Sequence, residues 1–310
     1  MYNVSVSPHV RDKSSTSKIM LDVCIALVPT LAFGVYRFGV NALIVIISSV
    51  LSCVLSELIF ELIVKKPITV FDFSAVVTGL ILALNMPPEV AWWVPAVGGV
   101  FAIVVIKMLF GGIGQNIMNP ALGARCFLLI SFASRMTDFT VDGVSGATPL
   151  AQLKAGESID LLDAFLGFQN GCIGEVSALA ILIGLAYLLI RKVVSIRIPG
   201  IYILSAMLFI FLFNLPNGVP GANYMLGQLL TGGLLAGAVF MATDYTTSPI
   251  TKGGQIIYAL LLGFLTAVFR VLGSSAEGVS YAIIISNLVV PLIEKISVPK
   301  AFGMTKKEEV

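Results

Sequence analysis

The sequence predicts an all-α polytopic membrane protein of about ten transmembrane helices in two inverted five-helix repeats. Three observations lead there. Of 310 residues, 57% are hydrophobic and only 12% charged, a balance far from that of a soluble domain. Apolar runs close to the ~20 residues needed to cross the hydrocarbon core recur from one end of the chain to the other. A pattern in the first half also returns in the second.

The runs span 19–36, 40–63, 73–86, 92–110, 117–134, 176–192, 198–214, 227–242, 255–272 and 279–296. The third and eighth are short and rich in glycine and polar residues. Backbone groups left unpaired in lipid are costly, so these two are expected to be broken or partly re-entrant and covered by other helices.

Basic residues orient the runs. Arg11, Lys13 and Lys18 precede the first, Lys65 and Lys66 follow the second, and Arg191, Lys192 and Arg197 lie between the sixth and seventh. Lys252 follows the eighth, and Lys295, Lys300, Lys306 and Lys307 close the chain. Ten crossings with both termini in the cytoplasm put all of these inside. The remaining long loop then falls outside, and it is acidic, with Asp138, Asp142, Glu157, Asp160, Asp163 and Glu175 against Arg135 and Lys154. The chain thus divides into a cytoplasmic segment 1–18, a first repeat 19–135, an extracytoplasmic loop 136–175, a second repeat 176–298 and a cytoplasmic tail 299–310.

The repeat rests on two echoes. Thr78-Gly79-Leu80-Ile81-Leu82-Ala83 returns as Thr231-Gly232-Gly233-Leu234-Leu235-Ala236. Later in each half an asparagine is followed by proline, first Asn119-Pro120 and then Asn287 with Pro291. Because five is odd, two five-helix units in series lie in opposite orientations, and their interrupted helices should meet near the midplane.

Ionisable residues inside spans are functional candidates by default, because insertion costs on the order of 2.5–3.5 kcal/mol each. Asp22, Glu57, Glu61, Asp72, Lys107, Arg125, Asp244, Arg270 and Glu294 qualify. Lys107, Arg270 and Glu294 are near helix ends, where snorkelling is the expectation. Glu57 and Glu61 share a helix face one turn apart, read as a solvated face with a cation site as the alternative. Arg125, on the helix leading into the external loop, has a fork suited to a phosphate or an intramembrane carboxylate. Cys24, Cys53, Cys126 and Cys172 form no Cys-x-x-Cys and read as packing residues. His9, the sole histidine, is a weak metal candidate without a second imidazole. Tyr2, Trp92 and Trp93 read as interfacial anchors. A net charge of +2 leaves no nucleic-acid footprint.

One polar stretch suggests chemistry: Asp142-Gly-Val-Ser-Gly-Ala-Thr148-Pro-Leu150. Gly143 and Gly146 free the backbone and Pro149 fixes φ after the threonine, so an exposed turn presenting one hydroxyl is expected. A bare threonine hydroxyl is a poor nucleophile, but it can be a substrate.

The stretch resembles the Asp-x-x-Ser/Thr-Gly-Ala-Thr site of a family made up of the B subunits of sodium-pumping NADH:quinone oxidoreductases and the D subunits of Rnf complexes. Further matching blocks run in order along the chain: Ser7-Pro8-His9-Val10-Arg11, Ser15 to Val23, Val77-Thr78-Gly79-Leu80, Phe110 to Asn116 running into Asn119-Pro120-Ala121, and Met241-Ala242-Thr243-Asp244-Tyr245. The length is more similar to that of the Rnf branch. The resemblance implies a urea-transporter-like fold in a bacterial or archaeal plasma membrane. It also implies FMN esterified through its phosphate to Thr148, with Asp142, Ser145, Gly146 and Ala147 as the attachment motif. A flavin transferase is implied as a partner, together with cluster-binding, NADH-binding and other FMN-carrying subunits, and noncovalent riboflavin as a second cofactor. No nucleotide fingerprint or cluster motif lies in this chain, so ferredoxin and NAD are left to those subunits. A urea-transporter-type solute channel without redox chemistry is the competing reading, and it leaves the Thr148 stretch unexplained.

Overall fold

The computed structural model describes residues 15–299 apart from 142–143, 146–147 and 274–277. His9, Tyr2 and the C-terminal tail lie outside these, as do Asp142, Gly143, Gly146 and Ala147.

The first two apolar runs form one helical stretch, α1 (Thr16–Val64), broken at Gly39. Its φ of 70° and ψ of −149° are angles that only glycine adopts without strain. Along its second half, Ile44, Ile47, Leu51, Leu55, Ile59 and Leu62 are exposed, while Ser49, Ser56, Glu57 and Glu61 are buried. This is the reverse of a soluble amphipathic helix: the three- and four-residue spacing carries apolar side chains outward to lipid and polar ones inward.

After a short 3-10 turn come α2 (Ser74–Leu84) and α3 (Trp93–Val100), the latter continuing as π-helix to Met108. Next are α4 (Pro120–Ser131) and the single turn α5 (Ala133–Met136). The stretch after α5 forms a two-residue ladder, β1 (Thr140–Val141) with β2 (Val144–Ser145), antiparallel with Thr140 opposite Ser145. Two short helices follow, α6 (Pro149–Lys154) and α7 (Leu161–Leu166). The second half contains α8 (Ala178–Ile190), α9 (Arg197–Asn214), α10 (Ala222–Leu230), α11 (Leu234–Ala236), α12 (Lys252–Ala267) and α13 (Val279–Ser297). Helices α11 and α12 run on as π-helix to Met241 and Leu272.

Among the described residues, four helical stretches are long and apolar enough to cross a bilayer: α1, α9, α12 with its π-helical end, and α13. The pair α10 and α11 makes a fifth, bent by 51°. The chain is a multi-pass membrane protein. The eighth run is broken as expected, at 231–233, where Gly232 and Gly233 both have φ of 68°, whereas the third forms an unbroken helix of 11 residues, α2.

Helix α1 packs on α2, α3 and α8, α12 packs on α9 and α13, and α13 meets α4 across the two halves. Gly79 lets α2 approach α1 closely; a β-carbon there would lie 2.7 Å from Val50 Cα and 3.1 Å from the Ser49 carbonyl. Both neighbours are backbone and cannot yield. Gly79→Ala is therefore expected to cost about 1–3 kcal/mol by overpacking, seen as a lower unfolding temperature in detergent. An unchanged temperature would mean the two helices are not in this contact.

Candidate functional site

Thr148 is not on an exposed turn. It is the half-buried N-cap of α6, with extended backbone (φ −63°, ψ 150°), and its Oγ1 accepts from Ala151 N at 3.4 Å. Pro149 explains the difference: a proline whose φ is already helical is favoured at the first position of a helix, so it starts one rather than ending a turn. The cap uses the hydroxyl only as a long acceptor, which leaves its proton and second lone pair available. Ser145 lies in β2.

Helix α6 docks on the break in the eighth run. Leu150 is 1% exposed and packs beside Gly232, where a β-carbon would meet both Leu150 and the Arg270 guanidinium. Arg270 holds the break together: Nη1 donates to the Gln228 carbonyl at 2.5 Å and to Gln228 Oε1 at 3.1 Å, and Nη2 donates to the carbonyls of Thr231 at 3.0 Å and Gly232 at 2.8 Å. A helix end inside a membrane leaves carbonyls that water cannot reach, and a buried arginine satisfies several at once. On the adjoining surface Lys154 donates to Gly273 O at 2.8 Å. Partial burial, with Arg270 close by, lowers its ammonium pKa below the usual lysine range.

Lys107 and Arg270 do not snorkel, contrary to the expectation from their places near helix ends; both are buried, at 2% and 1% exposure. Lys107 Nζ lies 2.7 Å from Glu57 Oε1 and 2.6 Å from Ser74 Oγ, which in turn donates to Asp72 Oδ1 at 2.5 Å. Glu61 accepts from Thr69 N at 3.1 Å and from the Thr69 hydroxyl. Glu57 and Glu61 therefore do not form a solvated face. The Lys65 turn folds residues 65–72 back over them, so a helix end that reads as open in the sequence is covered.

Arg125 lies where the halves join. Its Nη1 donates to Asn85 Oδ1 at 2.7 Å and to Ser280 Oγ at 2.9 Å, and Nη2 is 3.6 Å from Cys172 Sγ. The end of the loop 136–175 is drawn into the interior here, with Ile173 N on Met86 O at 3.0 Å and Gly174 N on Leu84 O at 2.8 Å. Nearby, Asn119 caps α4 and donates to Met241 O at 3.4 Å. With its amide oriented to satisfy all its neighbours, Asn287 donates to Thr247 O and Ile283 O and accepts from Asn119 N, each at 3.2 Å. Beside this crossing lies a narrow cavity of about 80 Å³ lined by Ser74, Thr78, Lys107, Asn119, Thr243 and Asp244, among others. Asp244 is held by the hydroxyls of Thr246 at 3.0 Å and Thr247 at 3.2 Å.

A family model described as NQR2, RnfD, RnfE matches residues 3–303. The chain belongs to this family. It is 47% identical to the D subunit of the Na(+)-translocating ferredoxin:NAD(+) oxidoreductase complex of Acetobacterium woodii, over 98% of this chain and 96% of that one. It is 40% identical to the D subunit of the proton-translocating ferredoxin:NAD(+) oxidoreductase complex of Clostridium ljungdahlii, over the same shares. The D subunit of the ion-translocating oxidoreductase complex of Stutzerimonas stutzeri is 37% identical over 94% of this chain and 93% of its own.

Within this NQR2, RnfD, RnfE chain, three site residues carry no signal of their own in the sequence. Gln228 and Leu150 are ordinary in type and gain their place only from the break they meet. Ser74, the hydrogen-bond partner of Lys107, sits four residues before Thr78, one helical turn away. That spacing is legible once Thr78 has been singled out.

Proposed function

We propose that this chain is the flavin-carrying membrane D subunit of an Rnf-type ion-translocating oxidoreductase, with FMN esterified through its phosphate to Thr148. The observation that carries the reading is the Thr148 hydroxyl itself. It follows Ser145-Gly146-Ala147, heads a short helix and has no strong internal partner among the described residues. The ester joins Thr148 Oγ1 to phosphorus while the hydroxyl proton and the donor's leaving group depart. No side chain described beside Thr148 acts as a base, so a flavin transferase supplies activation.

Once bound, FMN supplies one- and two-electron chemistry; the protein contributes tether, orientation and surroundings. Pro149 and the docked Leu150 hold the tether rigid, and Arg270 keeps the break beneath it intact. The ten-crossing, inverted-repeat topology, with both termini cytoplasmic and Thr148 outside, is supported by the direct meeting of Asn119 and Asn287 and by the distribution of basic residues. Noncovalent riboflavin is the second cofactor of this reading. Electrons pass between the Thr148 flavin and cofactors on cluster-binding, NADH-binding and FMN-carrying subunits, in step with transport of Na⁺ or H⁺. Relatives named as D subunits favour this reading over the quinone-reducing branch.

The test is the mass of the peptide spanning 142–150 from chain made alongside the transferase. The expected value is that of the peptide plus FMN less one water. An unmodified peptide would overturn the proposal.

A further inference from the structure

The ring of a flavin fixed at Thr148 needs somewhere to rest, and an open pocket begins at the very next residue. Its lining includes Pro149, Gln152, Ser158, Asp160, Phe168 and Asn170.

The walls are built rather than incidental. Helix α7 starts on Asp160, whose carboxylate accepts from Leu162 N at 2.8 Å and Asp163 N at 3.4 Å. It ends on Gly167, whose φ of 112° lets both Gly167 N, at 2.7 Å, and Phe168 N, at 3.0 Å, donate to Asp163 O. A β-carbon at Gly167 would run into the Phe33 ring. This closure fixes Phe168 immediately beyond the helix end. Its ring pairs with Phe33 at 6.2 Å and 72°, yet remains 50% exposed, which leaves area for a planar partner.

The polar lining suits a particular kind of ring. The side-chain amides of Gln152 and Asn170 have no hydrogen bond to other described residues, and each presents a donor and an acceptor. An uncharged heteroaromatic with carbonyl and imide N–H groups along one edge is their complement. Asp160 and Asp163 make the pocket inhospitable to phosphate. An FMN anchored at Thr148 would therefore leave its phosphate at the helix head and place its neutral ring inside.

We infer that this pocket is the berth of the isoalloxazine ring, with Phe168 stacking on its face and Gln152 and Asn170 holding its pyrimidine edge. The inference rests on FMN being attached at Thr148, so the experiment reads attachment first. Full-length chain is made with the transferase and purified in detergent, and covalent flavin is counted by intact mass. Thr148→Val chain is the blank whose emission is subtracted.

In Phe168→Trp, an electron-rich ring stacked on the flavin should dim its emission about threefold at equal flavin content, and denaturation should erase the difference. In wild-type chain, iodide should quench the bound flavin about twofold less than free FMN, because the pocket wall and the Phe168 ring shield one face of it. Equal emission in the two folded proteins, or wild-type quenching equal to that of free FMN, would overturn the berth while leaving attachment standing. Absence of flavin by mass would overturn attachment, and the berth with it.

Discussion

Thr148→Val chain is expected to reach the membrane in normal amount and to carry no covalent flavin, so its band on a denaturing gel is dark where the wild-type band fluoresces. Valine matches threonine in shape and replaces only the hydroxyl with a methyl. The cap on α6 is long, at 3.4 Å from Ala151 N, so its loss costs at most about 1 kcal/mol. Loss of flavin without loss of fold is thus the expected pattern. Thr148→Ser separates chemistry from shape, since it keeps an oxygen in place and should retain some flavin when the transferase is abundant. A fluorescent Thr148→Val band would show that the ester is elsewhere and would remove the basis of the proposed function.

The second large effect is at the Lys107–Glu57 pair. Lys107→Met strands the Glu57 carboxyl in a site that is 0% exposed. Removing one member of a buried ion pair costs about 3–5 kcal/mol, because the survivor keeps the desolvation cost without the attraction. The variant should unfold well below wild type in a detergent melt. The double variant Lys107→Met, Glu57→Gln should recover much of the loss, since no uncompensated charge remains. If the double variant is no better than the single, Lys107 stabilises through packing or through Ser74, and the ion pair is not the cause.

These sites are legible in the sequence to different degrees. Composition and run length show the membrane class, and the short eighth run announces its own irregularity, because glycine and polar residues cannot sustain a lipid-facing helix. Thr148 stands out as a chemical outlier, though as a turn; Pro149 carries the signal that it starts a helix. The burial of Arg270 and Lys107 is not legible, because distance from a helix end along the chain says nothing of what folds over that end. Arg270 is closed in by the carbonyls of α10, some forty residues earlier in the chain, and Glu57 is covered by the return of 65–72. The inward turn of Ile173 and Gly174 depends on the carbonyls of Met86 and Leu84, which are free to accept only because α2 stops short.

The Asn119–Asn287 contact has a mechanical consequence. With Asn119 also bound to Met241 O and Arg125 bridging Asn85 and Ser280, the seam between the halves is stitched by buried polar bonds that no solvent can replace. Rocking one half against the other would tear several of them together. The two halves are therefore fastened into a single rigid body along this seam.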